Sequence, residues 1–233
     1  MEISYLRISV TDKCNLKCFY CRPDNMEFIP HDEILRYEEI VKLVKAMTKY
    51  GLKKVRITGG EPLVRPQIEN LVSLLKSIPQ IEDIGMTTNG ITLSYHAEKL
   101  RKAGLNRLNI SIDSLKPDLF YQITKGNLED VLEGIRVSKK LGFDPIKINA
   151  VVIKGLNEDE ALDFVEFAID YGVEVRFIEM MPLGQGSIKW EKDMVQPLEE
   201  IKRKIEEKYG TLIPSFSIGS GAARVYEIPK YKA

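Results

Sequence analysis

The repeating unit of the chain is clearest in the stretch Lys54-Val55-Arg56-Ile57-Thr58-Gly59-Gly60. Polar side chains alternate with Val and Ile, and this period of two predicts a β-strand with one polar and one apolar face. Two glycines end the strand, and Pro66 then opens an amphipathic pattern over Gln67–Lys76 that predicts a helix. The stretch therefore predicts one strand followed by one helix.

The same unit recurs along the whole chain. The predicted strands are Tyr5–Val10, Lys54–Thr58, Ile84–Thr88, Arg107–Asp113, Ile146–Val152 and Glu174–Met180. The predicted helices are Tyr37–Tyr50, Gln67–Lys76, His96–Ala103, Leu128–Leu141, Glu158–Tyr171 and Pro197–Tyr209. Alternation of this kind predicts an α/β fold with a parallel sheet and right-handed crossovers. Because eight units close a full barrel, six predict a partial (β/α)6 barrel, open on one side, over residues 1–212.

The polar face of these strands carries several cations. They are Arg7, Lys54, Arg56, Lys147 and Arg176, with Asp113 and Glu174 at strand ends. Apolar faces pack on helices, so the polar face is expected to line the lumen of the barrel. Buried like charges repel each other unless an anion lies among them, and a triphosphate would meet that need. The alternatives are that the cations pair with loop carboxylates or lie at the exposed bottom of the barrel.

Composition and charge exclude several classes of function. Lys+Arg 34 balance Asp+Glu 34, so no overall field favours nucleic acid or a membrane surface as a partner. No apolar run approaches the roughly 20 residues of a membrane-spanning helix, and no signal peptide is recognised. These features predict a cytoplasmic protein.

All three cysteines of the chain lie in one short stretch, at Cys14, Cys18 and Cys21, with Tyr20 just before the last. Cysteine thiolates are the usual protein ligands of iron–sulfur clusters, and three of them can hold three irons of a cubane and leave the fourth open. A structural zinc site normally needs four ligands, and the nearest histidine is His31. A disulfide would leave one cysteine over. Zinc and disulfide remain the alternatives.

A glycine-rich turn closes the second predicted strand in Thr58-Gly59-Gly60-Glu61-Pro62. Glycines let a backbone approach a ligand closely, and Glu61 supplies an anion suited to an ammonium group. Alone, this turn is a weak signal and can be an ordinary strand–helix loop. Together with the cysteine stretch about forty residues earlier, it resembles the radical S-adenosylmethionine (SAM) superfamily, whose glycine-rich turn holds the methionyl amino group. The resemblance implies a TIM-like partial barrel.

Five further stretches resemble the GTP 3′,8-cyclases of molybdenum cofactor (Moco) biosynthesis. They are Tyr5–Cys14, Arg56–Leu63, Thr87–Gly90, Asn109–Leu115 and Arg176–Gly184, and the resemblance runs to about Tyr226. It implies a lyase that generates a 5′-deoxyadenosyl radical, which abstracts the 3′ hydrogen of GTP and yields (8S)-3′,8-cyclo-7,8-dihydroguanosine 5′-triphosphate. It also implies an electron donor as a partner.

The resemblance assigns residues by position. One [4Fe-4S] cluster would be held by Cys14, Cys18 and Cys21, with SAM on the open iron. SAM would be bound by Tyr20, Gly60, Glu61, Ser111 and Met181, and GTP by Arg7, Arg56, Thr87, Lys147 and Arg176. The bland alternatives are a packing aromatic for Tyr20, a core position for Met181 and ordinary strand hydroxyls for Ser111 and Thr87. No residue is assigned as a proton donor or acceptor.

The chain also departs from the family pattern, which has a C-terminal region with three more cysteines and a second cluster that contacts the guanine. No cysteine follows Cys21 here, so residues 213–233 are expected to be the start of an extension that is truncated relative to the family, whether as a shortened form or a natural variant. This short form is expected not to cyclise GTP alone. The alternatives are a radical SAM enzyme acting on another nucleotide or a peptide, and a non-catalytic SAM- or nucleotide-binding relic. A homodimer is left open.

Overall fold

The computed structural model describes residues 3–21, 23, 25–181, 191–216 and 223–231. Its main feature is a six-stranded parallel sheet in the order β1-β2-β3-β4-β5-β6. The strands are β1 (Tyr5–Ser9), β2 (Lys54–Thr58), β3 (Asp83–Thr88), β4 (Arg107–Ser111), β5 (Ile146–Val152) and β6 (Glu174–Glu179). The predicted α/β partial barrel is confirmed, and each predicted strand is present to within two residues at either end.

Seven α-helices accompany the sheet in the described residues. They are α1 (Tyr37–Thr48), α2 (Ile68–Lys76), α3 (Leu93–Ala103), α4 (Pro117–Thr124), α5 (Leu128–Lys140), α6 (Ala161–Tyr171) and α7 (Leu198–Tyr209). All six predicted helices are present, although the one expected from Glu158 begins with a 3-10 turn over Glu158–Glu160. The sequence analysis missed α4, because its 8 residues are too few to show a helical period. It also missed the antiparallel hairpin of β7 (Ile213–Ser215) and β8 (Val225–Glu227).

The chain divides into two compact units. The first comprises Met1–Lys17, Asp24–Ile110 and Gly126–Ile146, and the second Cys18–Pro23, Ser111–Lys125 and Lys147–Ala233. In the first unit, the apolar residues of β2, such as Val55 and Ile57, are fully buried, as are Leu71 and Leu75 of α2. In the second, Val152 lies in a core with Val165 of α6, Ile201 of α7 and Ile228, the residue after β8.

The predicted boundary between a barrel over residues 1–212 and an extension from 213 stays a prediction. None of the helices in the described ranges is both long and apolar enough to cross a membrane.

Candidate functional site

The cysteine stretch begins directly after β1, in the first unit. Cys14 is half-buried, and its Sγ accepts hydrogen bonds from the backbone N–H of Leu16 at 3.4 Å and from Nδ2 of Asn89 at 3.7 Å. Donors aimed at a sulfur stabilise its thiolate form, which is the form that binds metals. The surroundings of Cys14 therefore suit a metal-ligating thiolate.

The rest of the stretch lies in the second unit. The backbone N–H of Cys21 donates to the carbonyl of Cys18 at 3.0 Å, and the N–H of Phe19 donates to the carbonyl of Ile123 at the end of α4 at 3.2 Å. These bonds form a tight turn that is attached to α4. Neither Cys18 nor Cys21 is in a disulfide, and Cys21 is exposed. Both residues are therefore in the reduced state from which thiolate ligands form.

Between these two cysteines, the hydroxyl of Tyr20 donates a hydrogen bond to Oδ2 of Asp113 at 2.6 Å. Oδ1 of Asp113 accepts from the backbone N–H of Val151 at 2.9 Å. Burial raises the pKa of Asp113 to about 6, although both hydrogen bonds oppose the rise. Burial, followed by the charges of Asp113 and Cys18, raises the pKa of Tyr20 well above its ordinary value. At neutral pH the tyrosine is therefore the donor and the carboxylate the acceptor.

The glycine-rich turn after β2 packs directly on the residues that lead into Cys14. The N–H of Gly60 donates to the carbonyl of Thr11 at 2.6 Å, and the N–H of Glu61 donates to that of Lys13 at 2.8 Å. A Cβ on Gly60 would lie 2.3 Å from the Lys13 carbonyl oxygen, and one on Gly59 2.5 Å from that of Thr11. Sequence reasoning assigned these glycines to close approach of a ligand. In the structure they allow close approach of the loop that carries Cys14.

Glu61 is buried, with 1% of its surface exposed. Its Oε1 accepts from the N–H of Leu63 at 3.0 Å and from the hydroxyl of Thr88 at 2.6 Å, and its Oε2 accepts from the N–H of Asn89 at 2.6 Å. Burial raises the pKa of Glu61, and the three hydrogen bonds oppose this. The carboxylate thus joins the turn to the end of β3. Its contact with the ammonium group of SAM stays a prediction. Such a contact would have to use an acceptor site that the three protein donors leave unoccupied.

The remaining predicted SAM residues lie at strand ends. Ser111 is the half-buried last residue of β4. Met181 follows β6 by two positions and is 53% exposed, which does not fit the alternative of a core residue. The end of the Arg176–Gly184 stretch, from residue 182 onward, lies outside the described residues.

A row of basic residues crosses the polar face of the sheet in the first unit. Arg7 of β1 is in register with Arg56 of β2, Arg56 with Gly85 of β3, and Gly85 with Arg107 of β4. Residues in register on parallel strands share a face, and Thr87, two positions after Gly85, shares it too. Three of the predicted GTP residues, Arg7, Arg56 and Thr87, therefore lie on one face, with Arg7 exposed and Thr87 half-buried.

Arg56 of this row is buried, with only 5% of its surface exposed. Its Nε donates to the hydroxyl of Tyr5 at 3.1 Å, whereas its buried Nη1 has no hydrogen-bond partner among the described residues. Burial lowers its pKa. The absent side chain of Gly85 leaves room for the guanidinium, because an added Cβ would lie 3.3 Å from its Cζ. A buried guanidinium with an unused donor is well suited to bind an anion.

Arg107 is a basic residue of the same row that the sequence analysis did not single out. Its Nε donates to Oδ1 of Asp83 at 2.9 Å, and its Nη2 pairs with the second oxygen of that carboxylate. Its position on the polar face of β4, in the alternation of polar and apolar residues, could have identified it from the sequence. Because Asp83 already neutralises it, Arg107 is a poor candidate for binding a further anion.

The predicted GTP residues of the second unit lie on β5 and β6. Lys147 is fully buried, and its Nζ lies 3.0 Å from Oε2 of Glu174 on the neighbouring strand. Lys147 therefore pairs with a carboxylate, as one of the alternatives from the sequence proposed for these cations. The partner, however, is in a strand and not in a loop. Arg176 is half-buried and in register with Asn149. Lys147 and Arg176 lie on the same face of this strand pair.

The donor set fits an iron–sulfur cluster better than a single metal ion. Within the described ranges, no three His, Cys, Asp or Glu side chains are grouped as one metal ion requires. A cubane does not need such a group, because each thiolate binds a different iron. The stretch offers three cysteines that are not in a disulfide, and the described residues around it include no carboxylate or imidazole ligand set for a metal ion.

Comparison with known proteins agrees with this fold and site. The family model of the radical SAM superfamily matches residues 8–168. The structure resembles that of Streptococcus suis SuiB bound to S-adenosylmethionine, with a TM-score of 0.71 over 88% of this chain and 47% of that one, at 20% identity, which supports the fold alone. Fold, cysteine stretch and glycine turn thus define a radical SAM protein.

Two sequence relatives narrow the family. The chain is 47% identical to a GTP 3′,8-cyclase of Petrotoga mobilis over 233 residues, which is 99% of this chain and 72% of the relative. It is 47% identical to a GTP 3′,8-cyclase of Listeria monocytogenes over 227 residues, which is 96% of this chain and 68% of the relative. The chain therefore belongs to the GTP 3′,8-cyclase family of the radical SAM superfamily.

Proposed function

We propose that this chain provides the radical SAM part of an enzyme for the reaction after which its family is named, the conversion of GTP to (8S)-3′,8-cyclo-7,8-dihydroguanosine 5′-triphosphate in Moco biosynthesis. The expectation from the sequence that this short form does not cyclise GTP alone stays a prediction. One [4Fe-4S] cluster on Cys14, Cys18 and Cys21 and one SAM would serve as cofactors, with an external electron donor. Membership of the family supports this proposal. Three neighbouring cysteines that are not in a disulfide are typical of a reducing compartment, which supports the cytoplasm as the site of action.

The observation that carries the proposal is the direct bonding of the glycine turn to the cysteine loop. Gly60 and Glu61 donate to the carbonyls of Thr11 and Lys13, one to three residues before Cys14. No side chain larger than hydrogen fits at Gly60 without moving that backbone. The two motifs are about forty residues apart in the sequence, yet they form one backbone unit. This close packing is expected if the two motifs serve one common site.

A cluster held by Cys14, Cys18 and Cys21 would supply the electron that activates SAM for removal of the 3′ hydrogen of GTP. The residues of the chain bind and orient the two small molecules. Tyr20, Gly60, Glu61, Ser111 and Met181 are the proposed SAM-binding residues. Of these, Gly60 contributes by holding the loop, as its contacts indicate.

The proposed GTP-binding residues Arg7, Arg56, Thr87, Lys147 and Arg176 would hold the triphosphate by charge and by hydrogen bonds. Arginine is suited to this because its planar fork binds phosphate oxygens in pairs. The free donor of buried Arg56 offers such a contact without breaking an existing bond. Lys147 would have to share its ammonium group with Glu174.

The test is an anaerobic assay of the reconstituted protein with SAM, GTP and a chemical reductant. We expect 5′-deoxyadenosine from the wild-type chain and none from Cys18→Ala. Formation of the cyclised nucleotide at a rate matching SAM cleavage would show that this chain is sufficient for the whole reaction. Formation of 5′-deoxyadenosine with another nucleotide or a peptide, but never with GTP, would identify a radical SAM enzyme with a different substrate. Absence of SAM cleavage in a protein that carries its full iron and sulfide would contradict the proposal altogether.

A further inference from the structure

We propose that Asn89 is a positioning residue for the cluster, donating an N–H···S hydrogen bond to Cys14 that raises the reduction potential of the cluster. This inference rests on the proposed function, because it needs Cys14 to be a cluster ligand. Asn89 lies one position after β3, in the Thr87–Gly90 stretch, and was not among the predicted site residues.

The side-chain amide of Asn89 is oriented by contacts at both ends. Nδ2 lies 3.7 Å from Sγ of Cys14 and 2.8 Å from Oδ1 of Asn15, so its two N–H groups have two acceptors. Oδ1 accepts from the backbone N–H of Ile91 at 3.1 Å. A flipped amide would place its oxygen against the oxygen of Asn15 and its N–H groups against the N–H of Ile91. The contacts therefore exclude the flipped orientation and direct a donor at the sulfur.

The backbone of Asn89 is held just as firmly. Its N–H donates to Oε2 of buried Glu61 at 2.6 Å. The hydroxyl of Thr88 donates to the other oxygen of that carboxylate at 2.6 Å and accepts from the N–H of Gly90 at 3.0 Å. Gly90 adopts φ 80, and a Cβ there would lie 2.8 Å from Cγ1 of Val131. The turn therefore packs closely on α5 at Gly90 and is bonded to Glu61 through Thr88 and Asn89.

This geometry gives Glu61, the acidic residue of the glycine turn, a role that its motif does not suggest. The Glu61 carboxylate accepts hydrogen bonds from Leu63, Thr88 and Asn89. It thereby connects the turn that packs before Cys14 to the residue that points at the Cys14 sulfur. Glu61 therefore contacts both the backbone before Cys14, at Lys13, and the residue that donates to the Cys14 sulfur, Asn89.

The expected consequence is electrostatic. Reduction adds negative charge to a cluster and its thiolates, and hydrogen bonds to the sulfurs are among the factors that set the potential. A neutral donor at Cys14 stabilises the reduced form more than the oxidised form. Removing the donor should lower the midpoint potential, and replacing it with an anion should lower the potential further.

The experiment measures the midpoint potential of the reconstituted protein by anaerobic redox titration followed by electron paramagnetic resonance. Asn89→Ser retains an acceptor for the N–H of Ile91 but is too short to reach the sulfur. Asn89→Asp retains the acceptor and places a carboxylate beside the sulfur. We expect potentials in the order wild type, Asn89→Ser, Asn89→Asp, from highest to lowest, with iron content unchanged. Asn70→Ser, which removes an exposed amide of α2, should leave the potential at the wild-type value.

Each other outcome decides between the two proposals. A wild-type protein that assembles no cluster contradicts the proposed function, whereas a wild-type cluster with unchanged potentials in both variants overturns only the role of Asn89. Loss of the cluster in both variants, with wild-type melting temperatures for the metal-free chains, would overturn the role in setting the potential, because Asn89 would then be needed to hold Cys14 as a ligand. Loss of folding in both variants would assign Asn89 to the stability of the turn and overturn the proposal.

Discussion

The hydroxyl of Tyr20 donates a hydrogen bond to the buried carboxylate of Asp113 across an oxygen–oxygen distance of 2.6 Å. The same carboxylate accepts from the N–H of Val151, and the amide of Asn157 donates to the backbone carbonyls of both Asp113 and Val151. The aromatic residue between Cys18 and Cys21 is thereby attached to the start of the segment after β4 and to β5. Tyr20 holds the cysteine turn through its hydroxyl as well as through packing.

Tyr20→Phe should destabilise the protein by about 1–3 kcal/mol, because Asp113 loses a partner and stays buried. Chemical denaturation of the metal-free protein measures the change. Tyr95→Phe is the control, since Tyr95 is 80% exposed and its variant should unfold as the wild type does. Equal stability of Tyr20→Phe and Tyr95→Phe would show that the bond to Asp113 contributes nothing.

Asp113→Asn should change the dependence of stability on pH. Burial raises the pKa of Asp113 from its ordinary value of 3.8 to about 6, so the folded protein holds a proton that the unfolded chain has released. The stability that this group contributes is therefore present below about pH 4 and lost as the pH rises through about 6. The asparagine variant should gain about 3 kcal/mol relative to wild type over that window. Denaturation at a series of pH values tests this, and parallel curves for the two proteins would refute it.

Gly60→Ala should prevent full assembly of the cluster. Its Cβ would lie 2.3 Å from the Lys13 carbonyl oxygen, so the loop into Cys14 must move. Iron and sulfide analysis after anaerobic reconstitution should give about four irons per wild-type chain and clearly fewer for the variant. Gly142→Ala, whose Cβ meets nothing within 4 Å at φ +74, should cost about 1–2 kcal/mol of stability with wild-type iron content. Normal iron content in Gly60→Ala would show that the approach of the two motifs is dispensable.

Arg56→Ala should weaken GTP binding by about tenfold to a hundredfold, the range expected for losing a hydrogen bond to a charged group. Binding of guanosine should change much less, because the guanidinium is expected to contact phosphate. Isothermal titration with both ligands measures the difference. The control is Arg203→Ala, an exposed arginine of α7 whose side chain is 72% accessible. A similar loss for GTP and guanosine would place Arg56 away from the phosphates.

Glu174→Gln should destabilise the protein in the absence of nucleotide, because fully buried Lys147 loses its 3.0 Å carboxylate contact. Breaking such a pair from one side typically costs about 3–5 kcal/mol, and the partial exposure of Glu174 places the expectation at the low end. If Lys147 binds the triphosphate, GTP should raise the melting temperature of the variant more than that of the wild type. An equal rise in both proteins would indicate that Lys147 is a structural cation.

The sequence alone was sufficient for the order and positions of the six strands and their main helices. Their alternation of apolar and polar residues, and the glycines at the helix ends, are local signals. Gly51, Gly104, Gly172 and Gly210 all adopt the positive φ for which glycine is suited. The cysteine stretch was equally accessible, because its three thiols are contiguous in the chain. The short α4 was missed because its 8 residues, about two turns, contain too few apolar positions to establish a period.

The bonding partners of the polar residues could be identified only from the three-dimensional structure. Asn89 is 75 positions from Cys14, and Tyr20 is 93 from Asp113, so neither contact leaves a periodic trace in the sequence. The sequence analysis assigned both Glu61 and Lys147 to ligand binding. In the structure, Glu61 accepts from three protein donors and Lys147 is paired with Glu174. Burial and register across strands determine which charges are satisfied. Local periodicity places a side chain on a face, but the partner that it meets there depends on residues distant in the chain.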